Sequence, residues 1–308
     1  MRISKTQQSK STIKAKIKRG FNKYGEDYLF IAPYFLLFIV FSIIPVVISM
    51  LMSFTNYNVL EFPGFVGLRN YMRLFLEDKT FTLALKNTLI ISIITGPVSF
   101  FMALLFAWLV NEFNPRVRTL LTLMFYAPSL SGGVYLVWQL ILSNDSHGLL
   151  NGILIDLNLI YNPILWTTDT KYMFASAIAV ILWMSLGTSF LAFIAGFKNV
   201  DQTLYEAGAV DGVKNRWQEL WFITLPSMKP QLMFGAVMSI TGSFGIGDVI
   251  SGIFGFPSTD YHLHTLVHHL QDYGNIRFEM GYASAIATIL FIIMIGTNRF
   301  VNRMLNKL

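Results

Sequence analysis

The sequence predicts an all-α, polytopic membrane protein with six transmembrane helices, and three observations predict it. Hydrophobic residues make up 54% of the 308 positions and charged residues only 13%, more apolar surface than a soluble fold of this length can hide. Six stretches reach the roughly 20 apolar residues that a helix needs to cross a hydrocarbon core; they cover residues 29–54, 87–110, 119–142, 173–197, 231–254 and 281–301. The 27 Phe, 13 Tyr and 6 Trp supply rings that anchor such helices at bilayer interfaces.

The chain starts with a basic segment, residues 1–28. Ile13, Ile17 and Phe21 recur every four residues among Lys14, Lys16, Lys18 and Arg19. That spacing fits a basic helix lying on anionic lipid, and it fits equally a basic tail that only sets orientation. The apolar run at 29–54 is too long for the core of a secretory signal, and no small-x-small site follows it, so it is expected to stay as the first span of a 29–301 membrane domain. With the N-terminus inside, 17 of the 23 Lys and Arg face the cytoplasm. Both termini, including the tail 302–308, are therefore expected to be cytoplasmic. The net charge of +6 follows from this bias and needs no nucleic acid.

Three connections of about thirty residues, 55–86, 143–172 and 198–230, are where functions other than spanning belong. The cytoplasmic one, 198–230, is polar yet strongly patterned. Asp201 can cap a first short helix that ends at Asp211-Gly212, where glycine suits a left-handed turn. Asn215-Arg216-Trp217-Gln218 offers a capping box for a second helix, with Trp217, Leu220, Trp221, Thr224 and Leu225 in one stripe and Pro226 as its stop. Two Trp on one face either pack on the chain's own helices or dock into a partner's groove.

Span five carries Asp248, the one acidic residue within the six stretches, among Gly242, Gly245, Gly247 and Gly252. A charge at that place is near an interface, paired, or facing a wet pathway. His262, His264, His268 and His269 follow before span six. The alternatives there are a metal pair, from the i, i+4 spacing of His264 and His268, and an exposed loop or helix; the zinc-protease acid is missing. No metal site is expected. Gly20 and Gly25 have phosphate-loop spacing, but Glu26 and Asp27 stand where Lys and Ser/Thr belong and would repel phosphate. Nothing forms a nucleophile with its base, and the chain has no Cys.

The string EAGAVDGVKNRWQELWFITLP at 206–226 resembles the EAA loop of permease subunits in binding-protein-dependent ATP-binding-cassette importers. Glu206, Ala207, Asp211, Gly212, Ile223, Leu225 and Pro226 match. Gly208 replaces the usual second alanine, and the stretch from Gly212 to Ile223 is one residue longer than the common pattern. SFTNYN at 53–58, FVGLRNY at 65–71, LKNTLI at 85–90 and GYASA at 281–285 resemble the carbohydrate-uptake branch of that family, whereas Phe254-Gly255-Phe256-Pro257 replaces its Gly-Gly-Gly-Pro turn.

The resemblance implies a six-helix permease, not an enzyme, that imports a sugar or oligosaccharide across the cell membrane. It implies a second permease, two cytoplasmic ATPase subunits holding ATP and Mg, an extracellular sugar-binding protein, and no cofactor on this chain. The loop would fit a cleft of the ATPase. Resembling permeases of the maltose type bind sugar with spans three and four. Here those spans carry Tyr126, Ser129, Ser131, Tyr135, Trp138 and Gln139, then Trp183, Ser185, Thr188 and Ser189. Aromatic faces and uncharged hydrogen-bonding groups suit a neutral sugar in a wet cavity; the same residues also suit helix packing and interface anchoring. An ion-coupled carrier acting alone would be expected to bury more ionisable groups than Asp248.

Overall fold

A computed structural model describes residues 25–306, and among these every extended element is helical, with a single isolated bridge between Thr55 and Phe65. The pattern at Ile13, Ile17 and Phe21 lies outside the described residues. The first helix, α1 (Gly25–Met52), is 28 residues long, or roughly 42 Å at 1.5 Å per residue. It buries none of its apolar side chains and forms a compact unit of its own. Its long apolar run suits a helix that crosses a membrane.

The second unit begins at Ser53. Short α2 (Arg69–Met72) leads to α3 (Lys79–Asn111), whose N-terminus is capped by the Asp78 carboxylate accepting from the Phe81 N–H at 2.9 Å. Along α3 the buried positions include Ala84, Thr88, Ile91, Thr95, Ser99, Ala103 and Ala107, spaced three or four apart. They make one face of small residues that lets neighbouring helices approach closely. Thr88, Ser92 and Thr95 donate their hydroxyls to carbonyls four residues back, so the polar groups cost little in an apolar setting.

Three spans expected to be continuous are broken. Span three is α4 (Pro115–Leu130) followed by α5 (Tyr135–Ile141) at 90°. Span four is α7 (Thr170–Met184) and α8 (Thr188–Asn199) at 41°, and span five is α11 (Lys229–Phe244) and α12 (Gly247–Phe254) at 42°. With α1, α3 and α14 (Met280–Leu305), the count reaches six when each bent pair is one span. Each break falls at glycine: Gly132-Gly133, Gly187 and Gly245. Helix breaks at membrane depth are tolerated where freed backbone groups line a cavity or meet protein. Among the remaining elements α6 (Leu149–Asp156) lies in the 143–172 connection, α9 (Gln202–Val210) and α10 (Arg216–Glu219) in the 198–230 loop, and α13 (Leu266–Gln271) before α14.

Helix α3 is the post of the second unit and packs along α8, α11, α7 and α13, while α11 also packs on α8 and α14. One apolar cluster, with Phe190, Phe193, Met228 and Leu232, holds the end that carries the 198–230 loop. Another, with Leu74, Phe81, Tyr273 and Tyr282, holds the opposite end.

Candidate functional site

The 198–230 loop folds as the sequence pattern requires through its first helix. The Asp201 carboxylate accepts from the Thr203 N–H at 3.0 Å and caps α9. At its far end Gly212 takes φ +93°, Gly212 N–H donates to Ala209 O and Val213 N–H to Gly208 O at 2.9 Å. These two bonds close the helix in a Schellman turn, which needs a left-handed residue and so a glycine. Glu206, Ala207, Asp211 and Gly212 are exposed and available to a partner, whereas Gly208 is buried.

The second helix departs from expectation in three ways. Asn215 caps α10 by accepting from the Gln218 N–H at 2.9 Å, but Gln218 Oε1 reaches back to Lys214 N–H and not to the cap residue itself, so the box is shifted by one. The helix then widens into a π-turn at Leu220–Thr224. A π-turn holds one residue more than an α-turn, which accommodates the extra residue between Gly212 and Ile223. Pro226 does not stop the helix; it sits in the first turn of Leu225–Ser227, where the wider π-turn relieves the collision of its ring with the preceding turn. A Cβ on Gly208 would lie 2.5 Å from Ile223 Cδ1. The two departures from the EAA pattern therefore belong together: the inserted residue brings Ile223 over position 208, and glycine makes room for it.

The expected single stripe is split by the π-turn. Leu220 and Thr224 are buried, and Thr224 Oγ1 lies 2.9 Å from Tyr205 Oη, tying the π-turn to α9. Trp217 and Trp221 are each 59% exposed. Trp217 rests on Trp108 of α3 with ring centres 4.8 Å apart, and Trp221 borders a small groove with Leu225, Pro226 and Leu232. Arg216 joins Glu219 at 2.8 Å and Glu112 at the end of α3 at 3.4 Å. So each Trp packs one edge on its own chain and offers the other, beside exposed Phe222.

A cavity of about 400 Å³ lies among the helix breaks. Of the expected pathway residues it gathers Tyr126 and Ser129 from the end of α4, Ser185 at the α7/α8 break, and Thr188 and Ser189 from α8. Thr95 and Ser99 of α3 and Ser239 and Ser243 of α11 complete its polar wall, with Ile181, Met184, Met238, Ile246 and Val249 as its apolar part. No Asp, Glu, Lys, Arg or His lines it. Ser189 Oγ is held 3.1 Å from Gly235 O and 3.2 Å from Ser239 Oγ. The α3 and α11 hydroxyls were missed by sequence reasoning; their spacing of four in otherwise apolar runs was the available signal.

The other expected pathway residues lie elsewhere, those of span three because of the 90° break after α4. Ser131 is exposed within the break. Trp138 and Trp183 pair edge-to-face at 5.5 Å, Gln139 donates to Gly252 O, and Tyr135 packs on Gly252. Asp248 is exposed in the first turn of α12 and does not line the cavity.

The histidines before span six are not exposed, contrary to one of the two sequence alternatives. His264, His268 and His269 are all at most 2% exposed. Asn87 Nδ2 donates to His262 O and His264 O, fastening this stretch to α3. His264 Nε2 is 3.2 Å from His269 Nδ1, and His269 Nε2 is 2.9 Å from Asp78 Oδ2, which also accepts from Tyr282 Oη. Burial lowers all three imidazole pKa values, that of His264 to about 3. Burial works to raise Asp78, but hydrogen bonds from Phe81 N–H, Tyr282 and His269 outweigh it and hold the carboxyl below its ordinary 3.8. Among the described residues no group of three or more His, Cys, Asp or Glu is placed to hold a metal.

Comparison with known proteins agrees with this architecture. A family model described as binding-protein-dependent transport system inner membrane component matches residues 99–307. The probable ABC transporter permease protein YesP of Bacillus subtilis is 33% identical over 273 residues, covering 87% of this chain and 86% of the relative. The lactose transport system permease protein LacF of Rhizobium radiobacter is 28% identical, covering 92% and 94%. A crystal structure of a bacterial ABC transporter involved in import of the acidic polysaccharide alginate contains a chain of the same fold, with TM-score 0.75, 21% identity, and 95% and 99% coverage.

Proposed function

The chain belongs to the binding-protein-dependent transport system inner membrane component family, and on that premise we propose that it is the permease subunit of an ATP-driven importer of a neutral sugar or oligosaccharide. The observation that carries the substrate class is the cavity at the helix breaks: hydroxyls of Ser129, Thr188, Ser189 and Ser239 with the Tyr126 ring, and no charged group. Such a lining offers a saccharide hydrogen bonds and an aromatic face, and it has nothing to neutralise a phosphate or uronate. The relative named for lactose transport supports the same class.

In this reading the 198–230 loop faces the cytoplasm with both termini, as the bias of basic residues supports. Two ATPase subunits holding ATP and Mg, a second similar permease and an extracellular sugar-binding protein complete the assembly, and this chain binds no cofactor. The exposed edges of Trp217, Trp221 and Phe222 beside Glu206 and Asp211 offer an ATPase cleft an apolar anchor with a polar rim. Closure of the ATPase pair moves α9 and α10; Trp217 on Trp108 and Arg216 on Glu112 carry that movement into α3, whose Thr95 and Ser99 line the cavity.

The test is sugar-stimulated ATPase activity of the reconstituted complex with Glu206→Ala combined with Gly212→Pro. Loss of stimulation with assembly intact is expected. Unchanged stimulation would remove the coupling role.

A further inference from the structure

We infer that His268 is a positioning residue for the substrate cavity, holding the half-helix that follows the break in span five through the carbonyl of Gly247.

The tautomer follows from its partners. His268 Nδ1 lies 3.1 Å from the Thr265 backbone N–H and 2.8 Å from Thr265 Oγ1. A backbone N–H can only donate, so Nδ1 is the acceptor. Nε2 lies 3.1 Å from Gly247 O and 3.1 Å from Ser251 Oγ. A carbonyl can only accept, so Nε2 carries the proton. The ring is neutral, as its burial favours, and one orientation satisfies both ends. Phe256 stacks on it at 5.6 Å and 18° and His264 at 5.8 Å and 27°, which removes the freedom to rotate.

Gly247 is the first residue of α12, directly after the break at Gly245-Ile246. Ile246 and Val249, on either side of the His268 contact, form part of the cavity wall. Only Gly245 and Ile246 join α12 to α11, and Gly245 leaves that link torsional freedom which contacts elsewhere must fix. His268 belongs to α13 and its ring is fixed on the N-cap residue Thr265 by the capping box, and α13 is attached to α3 through Leu266 N–H donating to Thr88 Oγ1 at 2.8 Å. A rigid path therefore runs from α3 through His268 to the wall carried by α12. That wall's place in transport rests on the reading of the cavity as the sugar site; the path does not.

The chain contains no cysteine, so one introduced thiol reports on one wall of the cavity. In the reconstituted complete transporter, Val249→Cys places it on α12 and Ser99→Cys places a control on α3. His268→Asn keeps an acceptor for Thr265 and loses the donor to Gly247, while His268→Gln restores a donor at the Nε2 position. The rate of labelling by a water-soluble maleimide at position 249 is expected to change by about three- to tenfold in His268→Asn, the loss of one buried hydrogen bond. It is expected to return towards the wild-type rate in His268→Gln, with position 99 unchanged throughout. No change at 249, or an equal change at both positions, overturns the inference. Sugar uptake in the same variants should show a raised KM in His268→Asn, rescued by His268→Gln. If labelling follows the pattern while the parent complex carries no sugar, the sugar reading fails and the positioning role stands.

Discussion

Replacing Gly208 by alanine tests the internal packing of the 198–230 loop. The new methyl would sit 2.5 Å from Ile223 Cδ1 and 3.5 Å from Val213 Cγ2. Carbon atoms in contact rest at about 3.5–4.0 Å, so the first distance is about 1 Å short. The obstacle is the end of a flexible side chain, and Ile223 is only partly buried, so it moves before the backbone does. Overpacking of this kind costs about 1–3 kcal/mol, and the flexible neighbour places this case near the lower end. A loss of about 1–2 kcal/mol lowers the ratio of docked to undocked loop by about 5- to 30-fold. Ile223→Val alone removes the offending methyl at a cost of about 0.5–1.5 kcal/mol. In the double variant that space is filled again, so the two changes should interact favourably by about 1 kcal/mol. The assay is a double-mutant cycle on ATPase stimulation in the reconstituted complex, with thermal unfolding of the purified subunit alongside. Strictly additive effects, or a Gly208→Ala subunit indistinguishable from the parent, would refute the pairing of these two positions.

Three further outcomes follow from the geometry. Asn151 is a buried hub: its Nδ2 donates to the carbonyls of Ser143, Asp145 and Ile164, and its Oδ1 accepts from Ile164 N–H and Trp166 Nε1–H. Asn151→Ala should cost about 1–3 kcal/mol or more through orphaned polar groups and raise hydrogen exchange across residues 143–168. Trp108→Ala should remove the ring pair with Trp217, about 0.5–1.5 kcal/mol, and weaken ATPase stimulation more than substrate binding. Acid should destabilise the subunit. His264, His268 and His269 are held below 6.5 by burial, so below about pH 6.5 the unfolded chain binds more protons than the folded one and stability falls with pH. Asp78, held below 3.8, adds stability that is lost only as pH falls further through its folded pKa. Thermal unfolding from pH 7 to pH 5 should show a falling midpoint, with a shallower slope in His264→Asn; a rising midpoint would contradict this.

Much of this was legible in the chain. Apolar runs suffice for the six stretches, because hydropathy is a sum over neighbours in sequence. Asp201 and Gly212 announce their cap and turn because both act on their own backbone. The breaks were not legible: Ser185-Leu186-Gly187-Thr188 and Gly245-Ile246-Gly247 are apolar enough to be averaged into their spans, so the bends escape a window that measures only transfer energy. The sharpest break, at Gly132-Gly133, separates Ser129 in the cavity from Trp138 and Gln139 outside it. The burial of the histidines was not legible because Asp78, the partner of His269, is 191 residues away and no local pattern joins them. The π-turn was foreshadowed only as a surplus residue; its consequence, Ile223 over Gly208, is a contact between two helices.

As proposed, this chain forms a passage for a neutral sugar, with energy supplied by a partner. The most direct measurement is uptake of labelled neutral oligosaccharide into proteoliposomes containing the complete assembly, with ATP enclosed on the ATPase side and the binding protein on the other. Uptake that requires both ATP and the binding protein, and that is weakened by Ser189→Ala and Tyr126→Ala, is the predicted result. Uptake by this chain alone, driven by an ion gradient without ATP, would contradict it.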